Sequence, residues 1–320
     1  MDAGMVEESL SPAVRPRNVG GTGIIVSPIG IDGAVFGWAT GIDETTTVLD
    51  TYAAAGGNFV STADHYAGGR SEVMIGAWLR TVPDRGSVVI ETRVGRHPDA
   101  SGLSKRRMLR AVENSLSRLG TDYVDFLSFD TEDPETPIEE SLETGARLIA
   151  EGKVRFLSAS RFSAATIRRV AQIADEASGP AFRAILVEYS LMERTAYEQE
   201  FQSLSVELGR GGLARLPLAN GYLTGNIRSK DDVPRSILFD EAARHIGRRG
   251  DRIIAALETV AKELGETPTT VALAWVLVKP GIAAAILRAA DADQVEKAFG
   301  ATRVRLERHQ LSLLDKASAL

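Results

Sequence analysis

The chain has 320 residues, 44% of them apolar, and 37 lysines and arginines against 43 aspartates and glutamates, for a formal net charge of −6. That composition supplies a large core and excludes a basic nucleic-acid footprint. With no cysteine, disulfides, thiolate metal sites and a thiol nucleophile are excluded too.

Residues 1–17 hold no apolar segment long enough for a signal peptide, and are expected to form a flexible extension ahead of one domain over residues 18–320. No uncharged run approaches about 18 residues, so a cytoplasmic protein without a membrane partner is expected. Gly20–Val26 is expected to be a hairpin at the bottom of a barrel. Short β-branched runs and longer amphipathic ones then alternate. They predict strand Ile29–Ile31, helix Thr45–Ala55, strand Asn58–Thr62, helix Ser71–Leu79, strand Ser87–Thr92 and helix Lys105–Leu119. Strand Tyr123–Phe129, helix Ile138–Glu151, strand Val154–Ser160, helix Ala164–Ala174, strand Arg183–Glu188 and helix Ala196–Leu208 follow. Strand Gly212–Leu216, helices Arg249–Leu264 and Pro268–Val278, and strand Ile282–Leu287 complete the pattern. Gly56-Gly57, Gly120 and Gly152 stand where C-caps are expected, and Ser104 where an N-cap is. Eight strands alternating with helices point to a parallel (β/α)8 TIM barrel rather than an open sheet. The irregular stretch Pro217–His245 follows the seventh strand, on the face where barrels carry their sites; a surface insertion is the competing reading.

The segment Gly57-Asn58-Phe59-Val60-Ser61-Thr62-Ala63-Asp64-His65-Tyr66, followed by Ser71-Glu72, resembles the signature of the aldo-keto reductases, roughly G-x-x-[FY]-[IV]-D-T-A-x-x-Y-G-x-x-S-E. Similar matches continue over Asn114–Asp125 (SLxRLgtdYiD), Glu151–Arg155 (eGKvR), and Pro217-Leu218-Ala219 with Gly221 and Leu223-Thr224-Gly225 (PLaxGxLtG). The resemblance implies carbonyl reduction by a nicotinamide hydride, with a tetrad of Asp, Tyr, Lys and His. Position by position, the tyrosine is kept as Tyr66, while the aspartate falls on Ser61, the lysine on Arg93 and the histidine on Asp130.

These exchanges change the chemistry. A tyrosine with an ordinary pKa of about 10 needs a nearby cation to work near neutrality, and arginine supplies one permanently. Asp130 puts an anion where a reduced carbonyl gathers charge. Two like charges about 4 Å apart repel by about 4 kcal/mol at an effective dielectric of about 20. Pairing of Arg93 with Asp130 would cancel part of this. Residues two apart on a strand share a face, which brings Glu91 beside Arg93 and Ser128 beside Asp130. Glu91 is expected either to hold Arg93 in place of the aspartate missing at Ser61, or to satisfy it structurally.

The positions that the resemblance assigns to the cofactor are altered as well. The 2′-phosphate motif falls on Ile286-Leu287-Arg288-Ala289-Ala290, with Gln294 and Glu296 following and Lys297 in place of asparagine. The pair implied to hold the nicotinamide amide reads Ser160-Arg161, a glutamine is replaced by Leu186, and Tyr189 stands near the stacking position. Leu218 and Gly221 belong to the loop implied to lie near the pyrophosphate. His65 and Trp38 are candidate pocket residues, against a surface loop and core packing respectively. The histidines have no metal-ligand spacing, and no metal is expected.

Three functional readings stay open. The first is a repurposed, cofactor-independent lyase, cyclase or isomerase acting on a small oxygenated metabolite in specialised biosynthesis. In it Asp130 is the base, Tyr66 the acid, and Arg93, Ser61 and Glu91 support them. The second is an NADPH-dependent reductase with an atypical tetrad. The third is a non-catalytic binding or regulatory subunit. A small-molecule substrate is expected in the first two; the oligomeric state is not legible.

Overall fold

The computed structural model describes residues 15–177, 179–233 and 240–319. The expected extension lies almost wholly outside the described residues, as does part of the Pro217–His245 stretch. β1 (Arg17–Asn18) and β2 (Ile25–Val26) pair antiparallel, so the hairpin expected over Gly20–Val26 opens earlier, at Arg17. Eight strands follow: β3 (Ile29–Asp32), β4 (Phe59–Ala63), β5 (Val89–Val94), β6 (Val124–Asp130), β7 (Val154–Ser160), β8 (Phe182–Glu188), β9 (Gly211–Arg215) and β10 (Ile282–Leu287). They close in the order β10-β3-β4-β5-β6-β7-β8-β9, every pairing parallel, as a (β/α)8 barrel.

Each strand is covered on both sides, so its β-branched and small residues serve two cores. Phe59, Val89, Phe126, Ala184, Leu186, Leu213, Ala284 and Ile286 pack inside the barrel, and Val19, Ile24 and Val26 of the hairpin seal its lower end against them. The alternate residues pack outward on the helical layer. Those helices are α1 (Ile42–Ala54), α2 (Arg70–Leu79), α3 (Lys105–Leu119), α4 (Ile138–Ala150), α5 (Ala164–Ala177), α6 (Gln202–Glu207), α7 (Arg248–Leu264), α8 (Pro268–Leu277), α9 (Ala292–Gly300) and α10 (Arg308–Ser318).

The sixth helix is shorter than predicted, because a π-type turn at Tyr197–Phe201 precedes it. The last two helices lie beyond the predicted elements. α9 opens on an Asp291 cap and buries Val295, Ala298 and Phe299. α10 buries Gln310, Leu314, Ala317 and Ser318, with leucine its sole large apolar side chain on that face, so its periodicity is faint.

Tyr52 of α1 ties the first two barrel strands together. Its buried hydroxyl lies 2.7 Å from Ile29 O and 3.0 Å from Phe59 O, and accepts from Phe59 N at 2.9 Å. Removing it leaves those groups without their partner, so Tyr52→Phe is expected to cost about 1–3 kcal/mol. A shifted urea midpoint at unchanged slope would register the loss.

Candidate functional site

Inward-facing residues change character along the barrel axis. Above the apolar floor stand Ser61, Glu91, Ser128 and Ser158, all fully buried. At the strand ends come Asp32, Arg93, Asp130, Ser160 and Arg215, buried, and Arg288 just after β10. Strand parity explains the set, since each lies two residues from another inward position.

Ser61 donates to Glu91 Oε2 at 2.5 Å, and the hydroxyls of Ser128 and Ser158 are 2.5 Å apart. Glu91 Oε1 is buried with no hydrogen-bond partner. Burial pushes the Glu91 carboxyl up in pKa, outweighing the opposing effects of Arg93, Ser128 and Ser61. Glu91 is therefore not the principal holder of Arg93, from which it stands 4.0 Å away. That role falls to Asp32, which accepts from Arg93 Nη2 at 3.2 Å, while Arg93 Nε donates to Thr62 O at 2.9 Å. Burial works against the Arg93 charge, but Tyr66, Glu91, Asp32 and Asp130 outweigh it and hold the guanidinium protonated. The Asp32 carboxylate also faces Arg288 Nε at 3.5 Å. Burial would raise its pKa, yet Arg93, Arg288 and Arg215 hold it below the usual range.

Sequence reasoning missed Asp32. It lies one residue beyond the predicted first strand, and an acidic residue at the C-terminal end of a barrel strand was the available signal.

Asp130 does not pair with Arg93. It accepts from Ser160 Oγ at 3.0 Å and Arg161 Nη1 at 3.3 Å, with Arg96 Nη1 at 4.0 Å. Burial again opposes its charge, and Arg93, Arg161, Arg215 and His65 overcome it, lowering the pKa. Ser160 and Arg161 are thus directed at Asp130.

Tyr66 follows β4 in a short turn, its ring 4.9 Å from Arg93 Cζ, with the His65 ring edge-on at 5.0 Å. His65 Nδ1 in turn lies 3.4 Å from the buried Asp64. Non-glycine residues with positive φ cluster on this rim: Ala67, Thr131, Arg161, Leu216, Ala219 and Asn220. Each such conformation costs on the order of 1–3 kcal/mol and persists where surrounding structure enforces it, commonly at functional faces.

Beside the mouth runs a cleft of about 350 Å³, walled by Leu216, Leu218, Asn220 and Gly221 on one side and by Arg288, Gln294 and Lys297 on another. Leu218, Gly221, Arg288 and Gln294 share it, as the motif spacing suggests. Arg288 also reaches Asn220 Oδ1 at 3.0 Å, while Gln294 accepts from Ala290 N at 3.0 Å, closing the start of α9. One residue expected near the cofactor lies elsewhere. Tyr189 turns outward, donates to Glu198 at 2.7 Å and packs on Tyr197 and Trp275, because the residue after inward-facing Glu188 must point away from the lumen. Trp38 is 55% exposed, which excludes the core-packing reading. A depression of about 420 Å³ on the opposite face, near Arg17, Arg210 and Gly281, contains none of the mouth residues.

His245, buried beside Tyr222 in the long loop, has its pKa lowered to about 4 by burial, then by Arg244 and Arg249. The unfolded chain binds that proton from about pH 6.5 downward, so stability is expected to fall as pH drops from there through about 4. In urea titrations at stepped pH, His245→Gln should flatten that loss.

A profile described as "Aldo/keto reductase family" matches residues 29–319. The chain is 31% identical over 306 residues to a "Probable voltage-gated potassium channel subunit beta" of Arabidopsis thaliana, covering 90% of this chain and 91% of that protein. A rice (Oryza sativa subsp. japonica) protein of the same description is 30% identical over 87% and 88% of the two chains. A "Putative voltage-gated potassium channel subunit beta" of Schizosaccharomyces pombe is 29% identical over 88% and 87%. A family match over residues 29–319, together with relatives aligned over most of both chains, means that the chain belongs to the aldo/keto reductase family.

Proposed function

We propose that this protein is a nicotinamide-dependent oxidoreductase acting on a carbonyl, with Tyr66 as proton donor and Arg93 as the fixed cation beside it. The observation that carries this reading is the charge of the mouth. Arg93, Arg96, Arg161, Arg215 and Arg288 surround Asp32 and Asp130, and burial raises the pKa of Glu91. A lone carboxylate at Asp130 would oppose a nascent alkoxide by about 4 kcal/mol at about 4 Å. With Arg161 and Arg96 on that carboxylate, the repulsion is largely offset, and negative charge on a carbonyl oxygen is tolerated.

The cleft suits a dinucleotide. Arg288 and Lys297 offer cations for phosphate, and Leu218, Gly221 and Gln294 complete the walls. When bound, that group supplies the hydride. The chain's own contribution is to present the Tyr66 hydroxyl to the carbonyl oxygen, with Arg93 offering charge to the oxygen that gives up the proton.

One observation favours a second reading, acid–base chemistry without a cofactor. Ser160 and Arg161, which the family motif assigns to the nicotinamide amide, are both committed to Asp130. Titration with NADPH separates the two. Saturable enhancement of nicotinamide fluorescence is expected for the reductase, and its absence up to millimolar cofactor would abandon that reading for the second.

A further inference from the structure

Arg215 ends β9, and among the described residues its guanidinium has no partner of its own. Its residue is 4% exposed, and it shares the inward parity of Leu213 in the lumen. Its Nε is buried and meets no acceptor; among the described residues its terminal nitrogens make no hydrogen bond or ion pair, and they are not fully buried, so a ligand can reach them. Its charge is felt by both Asp32 and Asp130. Both are already taken: Asp32 by Arg93 at 3.2 Å and Arg288 at 3.5 Å, Asp130 by Ser160 at 3.0 Å and Arg161 at 3.3 Å. A buried unpaired cation is costly to the fold, and such groups cluster where a ligand completes them.

We infer that Arg215 receives a carboxylate of the substrate, so that the protein acts on a small oxo acid or aldehyde acid. A planar, singly charged group suits a single guanidinium, whose paired N–H donors match carboxylate geometry. A phosphate dianion calls for several converging donors, and the nearby hydroxyls are engaged: Ser128 and Ser158 with each other, Ser160 with Asp130. With the carboxylate held at β9, the carbonyl faces Tyr66 and Arg93 across the lumen. That last placement rests on the reductase reading; the anion site itself does not.

The test uses the full-length protein and thermal shift with malonate, succinate and glutarate, each against its diamide at matched ionic strength. At least one diacid is expected to raise Tm by several degrees where its diamide does not. Arg215→Gln should abolish the shift, and Arg215→Lys, keeping charge without the planar fork, should weaken binding about tenfold. Equal shifts from diacid and diamide in the wild type would overturn the inference without recourse to any variant. So would an undiminished shift in either variant, or a larger shift from inorganic phosphate than from every diacid. NADPH fluorescence on the same wild-type sample keeps the two proposals apart. Diacid binding without NADPH binding sinks the reductase and leaves the anion site standing, while the reverse sinks the Arg215 assignment alone.

Discussion

Tyr66→Phe is expected to lower kcat for carbonyl reduction by about a hundred- to ten-thousandfold, the range that a positioned general acid supplies. The substitution deletes one hydroxyl and keeps the ring against Arg93 Cζ at 4.9 Å and His65 at 5.0 Å, so the turn after β4 retains its packing. NADPH affinity should be unchanged, and kcat and kcat/KM should fall together, as they do when an interaction confined to the transition state is lost. Steady-state kinetics on an aldehyde substrate, run beside the NADPH titration, provide the check. An active wild type with an equally active Phe variant would remove Tyr66 from the chemistry. Were neither active, the reading as a non-catalytic binding or regulatory subunit would gain ground.

The largest loss of stability is expected from Asp32→Asn. The exchange preserves shape but strips the counter-charge from Arg93 at 3.2 Å and weakens the hold on Arg288 at 3.5 Å, and Arg93 is 1% exposed. Removing one partner of a buried ion pair costs about 3–5 kcal/mol. Glu91→Gln is the informative contrast. Burial raises the Glu91 pKa, and its hydrogen bond runs to Ser61 rather than to Arg93, so about 1 kcal/mol is expected there. Equal losses in chemical denaturation would mean that Asp32 is not the principal anchor. The sign of the pH effect follows from the lowered pKa of Asp32. Its contribution is fully present above the unfolded carboxylate value of about 3.9 and disappears as pH falls through the lower folded value. Asp32→Asn should therefore be less acid-sensitive than the wild type, though less stable at neutrality.

Strand order was readable because β-branched runs recur between amphipathic segments, and that periodicity survives errors of a residue or two at each end. The same parity brought Glu91 to Arg93 and Ser128 to Asp130. What parity does not convey is partnership. Arg93 had three carboxylates within plausible reach, and the choice of Asp32 depends on how β3 and β5 are staggered around a closed barrel. Arg215 lay inside a predicted strand, but its lack of a partner emerges only when every neighbouring acid has been assigned. Tyr189 illustrates the opposite failure: motif spacing suggested the pocket, whereas its position next to an inward residue sends it out among Tyr197 and Trp275.

The hairpin packs against the apolar floor of the barrel, which leaves the C-terminal ends of the strands as the side from which the polar inward residues can be approached. A smaller residue at Val19 or Val26 is expected to loosen that packing and cost stability while leaving Tyr66, Arg93 and Asp130 untouched at the other end.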